Sequence, residues 1–258
     1  MDREIYLDNS ATTKPYDEVI EFVNHISSNV YGNPSSLHIK GIEAERMVKN
    51  ARGIIAKSLG VSRDEIYFTS GGTEANNLAV AGYLYANPRK GKHIMTTKIE
   101  HPSVMEVFNN LSQCGYDVDF IDVDKKGVVL VDDIREKINE ETALISVIYI
   151  NNETGAVQPI NEIAKIKNSI NRDIVLHVDA VQAYGKIKIA PQKEGIDILT
   201  MSSHKIHGPK GVGALYAKRD IKLKPIIFGG GQESQLRSGT ENVSGICGFG
   251  AAVDITFR

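Results

Sequence analysis

The segment ILTMSSHKIHGPKGVGALYAK, residues 198–218, contains two apolar runs separated by a short polar loop. The runs Ile198–Ser203 and Val212–Lys218 have the composition and length of β-strands. Eight residues separate them, which is too few for the helical crossover that joins parallel strands. The second of these strands is therefore predicted to run antiparallel.

Upstream of this segment, apolar runs rich in β-branched residues alternate with stretches of helical periodicity. The predicted strands are Ile66–Ser70, His93–Lys98, Val118–Val123, Ala143–Ile150 and Ile174–Ala180. The predicted helices are Gly41–Leu59, Glu74–Ala86, Ser103–Gln113, Val131–Asn139 and Ile160–Ser169. Such alternation requires right-handed crossovers between parallel strands. The predicted fold class is α/β, a mostly parallel seven-stranded sheet with one antiparallel strand and helices on both faces.

The bulk composition excludes several classes of protein. With 258 residues, the chain has room for one large domain, or for one domain and a fragment of a second. A net charge of −2 provides no basic surface for nucleic acid or an anionic membrane. Residues 1–13 lack the apolar core of a signal peptide, and no stretch approaches the ~20 apolar residues of a membrane span. Two cysteines indicate no disulfide framework, so a cytoplasmic location is expected.

Ligands in open α/β sheets bind beyond the carboxyl ends of the strands, so the residues that follow each strand are the candidate site. Ser70-Gly71-Gly72-Thr73 follows the first strand and opens a helix. Paired glycines let the backbone approach an anion, and a helix N-terminus offers free N–H groups. The pattern predicts a phosphate cradle at Gly72 and Thr73. A glycine turn in which Thr73 only caps the helix is the alternative.

Two polar residues follow the second and fourth strands. His101 precedes Pro102 at a helix start, where an imidazole can stack on an aromatic cofactor and exchange protons, or can simply cap the helix. Asn152, beside Asn151, can hydrogen-bond a phenolic oxygen or a substrate, or can form the turn that the chain needs there.

The fifth strand is an apolar run that ends in Asp179. A charge at the end of such a run needs a partner or a function. Opposite a pyridine nitrogen, Asp179 would keep that nitrogen protonated, and the ring could then act as an electron sink. Gln182 lies three residues further on and could reach an oxygen substituent of the same ring.

The sixth strand is followed closely by Lys205. Desolvation and nearby positive charge are predicted to lower its pKa, which would make it a competent amine nucleophile. Ser202 and His204 can complete a phosphate site. A metal site at His204 and His207 is the rival interpretation, but no cluster of carboxylates or cysteines lies nearby in sequence.

Taken together, these residues place a phosphate cradle, a stacking imidazole, a pyridinium partner and a Schiff-base lysine at successive strand ends. The sequence resembles the class V, fold-type-I family of enzymes that depend on pyridoxal 5'-phosphate (PLP), and within it the NifS/IscS-like cysteine desulfurases. Four motifs carry the resemblance: YLDNSATT at 6–13, NPSSLH at 33–38, SSHKIHGPKG at 202–211 and RSGTEN at 237–242.

The resemblance implies a role for each candidate residue. Lys205 would hold PLP as a Schiff base and shuttle the Cα proton, and His101 would stack on the ring and assist proton transfer. Asp179 and Gln182 would hold the ring nitrogen and ring oxygen, and Asn152 would lie beside the substrate. The phosphate would be bound by Gly72, Thr73, Ser202 and His204, with Thr240 added from the other subunit of a homodimer.

The reaction that the resemblance implies converts L-cysteine to L-alanine and passes sulfur, as a persulfide, to an acceptor such as an iron–sulfur scaffold protein. The expected organisation is an N-terminal segment, residues 1–14, that packs with a small domain, followed by a PLP-binding large domain over residues 15–258. The family's small C-terminal domain, with its persulfide cysteine and carboxylate-binding arginine, is expected to be absent.

Cys114 and Cys247 are both interpreted as structural, because neither matches the family's persulfide cysteine and both lie in helical or apolar contexts. A truncated desulfurase, doubtful as an enzyme on its own, is therefore the first hypothesis. The alternatives are a non-catalytic PLP-binding partner or scaffold, and another class V reaction such as selenocysteine lysis or amino transfer.

Overall fold

A computed structural model describes residues 5–258 and contains a seven-stranded sheet. The strands are β1 (Ile66–Thr69), β2 (His93–Thr97), β3 (Asp117–Ile121), β4 (Thr142–Ile148), β5 (Val175–Asp179), β6 (Ile198–Ser202) and β7 (Gly213–Ala217). Their order across the sheet is β1-β7-β6-β5-β4-β2-β3. Only β7 pairs antiparallel, with β1 on one side and β6 on the other, while the remaining pairs are parallel. The predicted fold class is confirmed.

Helices cover both faces of the sheet, as predicted. They are α1 (Asp17–Asn29), α2 (Ile39–Leu59), α3 (Gly72–Asn77), α4 (Tyr83–Ala86), α5 (Pro102–Gln113), α6 (Val131–Lys137), α7 (Ile160–Ile170), α8 (Pro191–Glu194) and α9 (Val243–Thr256). A π-helical turn, Leu78–Gly82, joins α3 to α4 without leaving helical backbone angles, so the predicted helix Glu74–Ala86 is one continuous segment with a local widening. The sequence patterns did not predict α1 or the single turn α8.

Each face of the sheet buries its own apolar cluster. One cluster packs α1, α2, α6, α7 and α9 against the sheet, with Ile55 and Phe249 among its fully buried side chains. The other packs the α3–α4 segment and α5 against the opposite face, around Leu78 and Phe108. Strands buried on both sides explain why their sequences read as continuous apolar runs.

Helix α9 contacts α1 and α2 closely because it carries small residues at the contact points. A Cβ at Gly248 would lie 2.5 Å from Val23 Cγ2, and one at Gly250 would lie 2.9 Å from Ala51 Cβ. Any larger residue at either position would push the helices apart. No helix among residues 5–258 is long and apolar enough to cross a membrane.

The antiparallel strand β7 determines where the candidate site forms. Because β7 reverses the direction of β6, and β1 reverses it again, β1 points the same way as the five parallel strands. The loops that follow β1, β2, β4, β5 and β6 therefore meet at one edge of the sheet.

The N-terminal segment lies against this same edge. Thr13 N and Thr13 Oγ1 both donate to His204 O at 2.9 Å, and His207 N donates to Thr13 Oγ1 at 2.7 Å. Part of the predicted segment, residues 1–4, lies outside the described residues. Its packing against a small domain stays a prediction.

Candidate active site

An open cavity of about 210 Å³ lies at the carboxyl edge of the sheet. Every predicted site residue except Thr240 lines it. The lining residues are Ala11, Gly72, Thr73, His101, Ser103, Ile148, Asn152, Asp179, Val181, Gln182, Ser202, His204 and Lys205. Side chains separated by more than 100 positions in sequence thus converge because their strands end together.

The turn between β1 and α3 forms an anion cradle. Glu74 closes the turn by accepting hydrogen bonds from Ser70 N at 2.9 Å and Ser70 Oγ at 2.5 Å. The first helical hydrogen bond runs from Ala75 N to Gly71 O at 3.1 Å, which leaves the N–H groups of Gly72 and Thr73 without intrahelical acceptors. Free N–H groups at the start of a helix favour a bound anion.

Two further observations fit a phosphate group at this cradle. Ser202 Oγ is buried and has no hydrogen-bond partner among residues 5–258, although it borders the cavity. A Cβ at Gly72 would lie 2.8 Å from Val181 Cγ2, so glycine at this position allows the backbone of the turn to pack close to Val181. A buried hydroxyl without a partner is costly unless a ligand supplies one. The donors present therefore suit a phosphate monoester.

The charge of Glu74 beside this cradle is balanced by Arg237, whose Nε donates to Glu74 Oε1 at 2.9 Å. Burial raises the pKa of Glu74, but the hydrogen bonds from Arg237 and Ser70 and the positive charge of Arg237 more than offset it, and the pKa lies below its usual value. Glu74 is therefore an ionised, compensated carboxylate at neutral pH.

Lys205 lies in a short 3₁₀ turn, Ser203–Lys205, directly after β6. Its Nζ donates to Ser10 O and to Ala11 O. Burial lowers the pKa of Lys205, as predicted, whereas the carboxylates of Asp179 and Asp8 oppose that change. The predicted positive charge is also nearby, because Lys186 lies close enough to Lys205 for the charge of Lys205 to lower the pKa of Lys186.

The charge of Lys205 also acts on the imidazole of His204. Burial, followed by the charges of Lys205, Lys210 and Lys186, lowers the pKa of His204 to about 4. His204 is therefore a neutral imidazole at pH 7, and its Nδ1 lies 3.1 Å from Thr12 Oγ1. A neutral ring can still donate one N–H to an anion.

Asp179 ends β5 and is buried, as its sequence context predicted. Its Oδ1 accepts a hydrogen bond from Val181 N at 2.9 Å, and its Oδ2 accepts one from Asn76 Nδ2 at 2.8 Å. Burial raises the pKa of Asp179, and the hydrogen bonds and the charges of His101 and Lys205 only partly offset this. A cationic ligand atom in the cavity would favour its ionised form.

His101 both caps a helix and lines the cavity, so the two interpretations of this residue are compatible. It is the N-cap of α5, and its Nδ1 accepts a hydrogen bond from Ser103 N at 3.1 Å. Its ring remains exposed at the cavity.

Of the two asparagines after β4, one forms the turn and the other faces the cavity, which were the two roles that the sequence left open. Asn151 forms the turn, because its Oδ1 accepts from Glu153 N at 3.0 Å and from Thr154 N at 2.8 Å. Asn152 lines the cavity. Gln182 also lines it, and its Nε2 donates to Ser10 O at 2.7 Å.

Thr240 is exposed and lies away from this cavity, in a smaller one that also borders Ser70 and Arg237. The first cavity borders Gly72 and Thr73 of the β1–α3 turn, whereas the second borders Thr69 and Ser70. Within one chain Thr240 therefore does not reach the predicted site, and its contribution across a dimer stays a prediction.

Several residues at the site were missed by sequence reasoning. Asn76 and Ser103 bond to Asp179 and His101 respectively, and Ser10 and Ala11 bond to Lys205. Asn76 lies four residues after Gly72, which places both on one helix face, and this spacing was a usable signal. The contacts of Ser10 and Ala11 span more than 190 positions and leave no local pattern.

Neither cysteine lies at the cavity. Cys247 is buried in α9, and burial raises its pKa to about 11. Cys114 is exposed rather than packed, and it forms the C-cap of α5, whereas His101 forms the N-cap. At 1.5 Å per helical residue, the two ends of α5 are about 20 Å apart.

The rival metal interpretation lacks a third ligand. Residues 5–258 contain no group of three or more His, Cys, Asp or Glu side chains that could hold a metal ion. His207 Nδ1 lies 2.8 Å from Lys14 O, and its ring stacks on Tyr16.

Comparison with known proteins identifies the family. The sequence profile described as Aminotransferase class-V matches residues 5–257. The chain belongs to the class-V aminotransferase family. Enzymes of this family, including the NifS/IscS cysteine desulfurases, depend on PLP.

Similar family members are cysteine desulfurases by name. The chain is 45% identical to cysteine desulfurase IscS of Dictyoglomus turgidum over 255 residues, which are 99% of the chain and 64% of the relative. Among solved structures, a NifS-like protein has a TM-score of 0.97 at 41% identity and covers 99% of the chain and 70% of its own length. SspA in complex with cysteine has a TM-score of 0.93 at 38% identity, and the match covers 97% of the chain and 72% of SspA.

Proposed function

We propose that this chain binds PLP in the cavity at the carboxyl edge of the sheet. Lys205 would hold the cofactor covalently, and Asp179 would pair with its ring nitrogen. Gly72, Thr73 and the partnerless hydroxyl of Ser202 would bind its phosphate, together with His204. His101 would stack on the ring, Gln182 would meet the ring oxygen, and Asn152 would lie beside the substrate.

We further propose that the protein acts in cysteine desulfuration, converting L-cysteine to L-alanine and passing the sulfur on as a persulfide. The observation that carries this proposal is the convergence of Lys205, Asp179, His101 and the anion cradle in one cavity. The NifS-like fold at 41% identity and the similarity to SspA, which was solved with cysteine, support the same substrate.

The chain's own residues supply proton transfer and orientation. PLP, when bound, supplies the electron sink for a carbanion at the substrate Cα. Burial favours the neutral amine of Lys205, which can accept a proton at Nζ. Asp179 would balance positive charge on the ring nitrogen of bound PLP, and the ring of His101, at the rim of the cavity, would hold or deliver a proton.

Sulfur transfer also needs a thiolate that can reach the substrate sulfur. Cys247 does not meet this need, because it is buried and its raised pKa keeps it protonated. Cys114 lies at the far end of α5. We therefore assign the thiol that accepts sulfur to neither cysteine. The chain spans 64% of the length of the IscS relative that it matches.

We propose the location, oligomeric state and sulfur acceptor that the family resemblance implies. It would act in the cytoplasm as a homodimer in which Thr240 reaches the partner's phosphate site, and it would deliver sulfur to an acceptor such as an iron–sulfur scaffold protein. The exposed position of Thr240 is compatible with a contact to a second subunit.

The test is release of alanine and of sulfide from L-cysteine, in the presence of a thiol reductant, by the protein that carries this chain. Lys205→Ala is expected to abolish both products. Cys114→Ser and Cys247→Ser are expected to leave both rates within about twofold. Alanine release that survives Lys205→Ala would contradict the proposal.

A second function is favoured by the placement of the cysteines. If these 258 residues act without another thiol, the geometry supports a protein that binds PLP without desulfurating cysteine. PLP binding at Lys205 with no alanine from L-cysteine would favour this alternative. Turnover of other amino acids, such as selenocysteine or a transamination substrate, would favour another class V reaction.

A further inference from the structure

A chain of hydrogen bonds links the two side chains to which the proposed function gives the most chemistry. Asn76 Nδ2 donates to Asp179 Oδ2 at 2.8 Å and to Ser103 Oγ at 2.8 Å. Ser103 Oγ lies 2.8 Å from His101 Nδ1, which also accepts from Ser103 N at 3.1 Å. Asn76 and Asp179 are fully or almost fully buried.

The backbone donor in this chain of hydrogen bonds fixes the direction of the others. A backbone N–H is always a donor, so His101 Nδ1 must present its lone pair to Ser103 N. With Nδ1 as an acceptor, the Ser103 hydroxyl donates to it and uses its own lone pairs to accept from Asn76. A neutral His101 therefore carries its proton on Nε2.

The amide of Asn76 has one orientation that satisfies this arrangement. Its two N–H bonds point to Asp179 and to Ser103, and its Oδ1 is buried with no partner among residues 5–258. Rotating the amide by 180° would place Oδ1 against the Asp179 carboxylate, where two acceptors would face each other. The unpaired Oδ1 is thus the consequence of directing both donors at these partners.

We propose that Asn76 and Ser103 are positioning residues that fix His101 as the Nε2–H tautomer and tie its orientation to that of Asp179. Nε2 makes no hydrogen bond to residues 5–258 and so presents its proton as a donor to a ligand in the cavity. This inference deepens the proposed function and rests on it for its consequence: neutral His101 would donate a proton from Nε2 before it could accept one there.

The test measures the tautomer directly, on the protein without cofactor. In ¹⁵N-histidine-labelled protein, two-bond ¹H–¹⁵N correlation spectra distinguish a protonated from an unprotonated ring nitrogen. The His101 signals are assigned by their loss in His101→Gln. At a pH where the ring is neutral, wild-type protein is expected to show one pattern, with Nε2 protonated and Nδ1 unprotonated.

Variants separate a positioning role from a general effect on folding. Asn76→Ala and Ser103→Ala are expected to replace the single pattern with a mixture of tautomers, while Ser103→Thr, which keeps the hydroxyl, restores it. Asn77→Ala is the matched control, because Asn77 is in the same helix but donates to Thr73 O at 2.9 Å, outside the chain of bonds. It is expected to retain the wild-type pattern.

Several results would overturn the inference. They are a wild-type proton on Nδ1, an unchanged pattern in both alanine variants, or the same loss in Asn77→Ala. Ser103→Ala, at the exposed start of α5, serves alone if Asn76→Ala does not fold. Because the spectra need neither PLP nor turnover, failure of the desulfurase proposal would leave this result standing, and the reverse also holds.

Discussion

Replacing Gly213 with Ala tests whether the pairing of β7 with its neighbours positions the anion cradle. An ideal Cβ at Gly213 would lie 2.7 Å from Gly71 C, 2.8 Å from Gly71 Cα and 2.8 Å from Met201 O. All three are backbone atoms, so no side chain can rotate away. Gly213 is paired with Thr69 on one side and Ser202 on the other, and relief of the clash must move backbone on both sides of the cavity.

The magnitude follows from the cost of overpacking, which is about 1–3 kcal/mol for one added methyl group in a filled site. For a chain of this size, each kcal/mol lowers the melting temperature by roughly 2–4 °C, so a loss of about 2–12 °C is expected. If about 1.4 kcal/mol of the distortion falls on the cradle, the dissociation constant for PLP rises about tenfold.

The assay combines thermal unfolding with absorbance titration of PLP, and Gly53→Ala provides a matched control. Gly53 lies within α2 and a Cβ there would meet nothing within 4 Å. Ala at this position should raise stability by about 0.5–1 kcal/mol and leave PLP affinity unchanged. The reasoning is refuted if Gly213→Ala behaves like Gly53→Ala in both measurements.

Four further predictions concern single sites. Borohydride reduction of the PLP complex followed by peptide mapping should label Lys205, and a label on another lysine would exclude the assignment. Asp179→Asn should retain PLP binding but lower turnover at least 100-fold, and near-normal turnover would make Asp179 structural. The side chain of Glu233 is 2% exposed, and its carboxylate lies 2.7 Å from Arg52. Arg52→Gln removes this positive partner and should lower the free energy of unfolding, measured by chemical denaturation, by about 3–5 kcal/mol. The Arg52→Gln/Glu233→Gln double variant should recover much of that loss. Burial raises the pKa of Glu100 from 4.5 to about 8. Between these pH values the folded chain keeps a proton that the unfolded chain loses, so the stability of the fold falls as the pH rises. Glu100→Gln should lessen that decline when thermal melts are recorded across this pH range.

The strands and the strand ends could be predicted because burial on both faces leaves uninterrupted apolar runs, and a run such as Ala143–Ile150 has few other interpretations. The site residues followed from the strand ends by one geometric rule. The order of the strands was not predicted, since it depends on which helices cover which face. The short loop between β6 and β7 nevertheless set the direction of β7.

Residues whose role depends on side-chain direction or on distant backbone could not be found in this way. Ser103 reads as an ordinary helix residue until the helices α3 and α5 are placed side by side. The carbonyls of Ser10 and Ala11 reach Lys205 from a segment without secondary structure. The opposing effect of Asp179 and Asp8 on the pKa of Lys205 was not predicted for the same reason, because both carboxylates approach Lys205 through the fold and not through the sequence.

The antiparallel strand explains why one short segment decides both the topology and the site. Strands β1 and β6 flank β7, so the cradle that follows β1 and Lys205 that follows β6 are two strand spacings apart, or roughly 10 Å. A parallel seventh strand would have required a helical crossover in place of the loop that carries Lys205. Gly213, at the start of β7, lets the cradle backbone cross close above the strand. The reversal of β7 therefore brings the anion cradle and Lys205 to the same edge of the sheet, one on each side of β7.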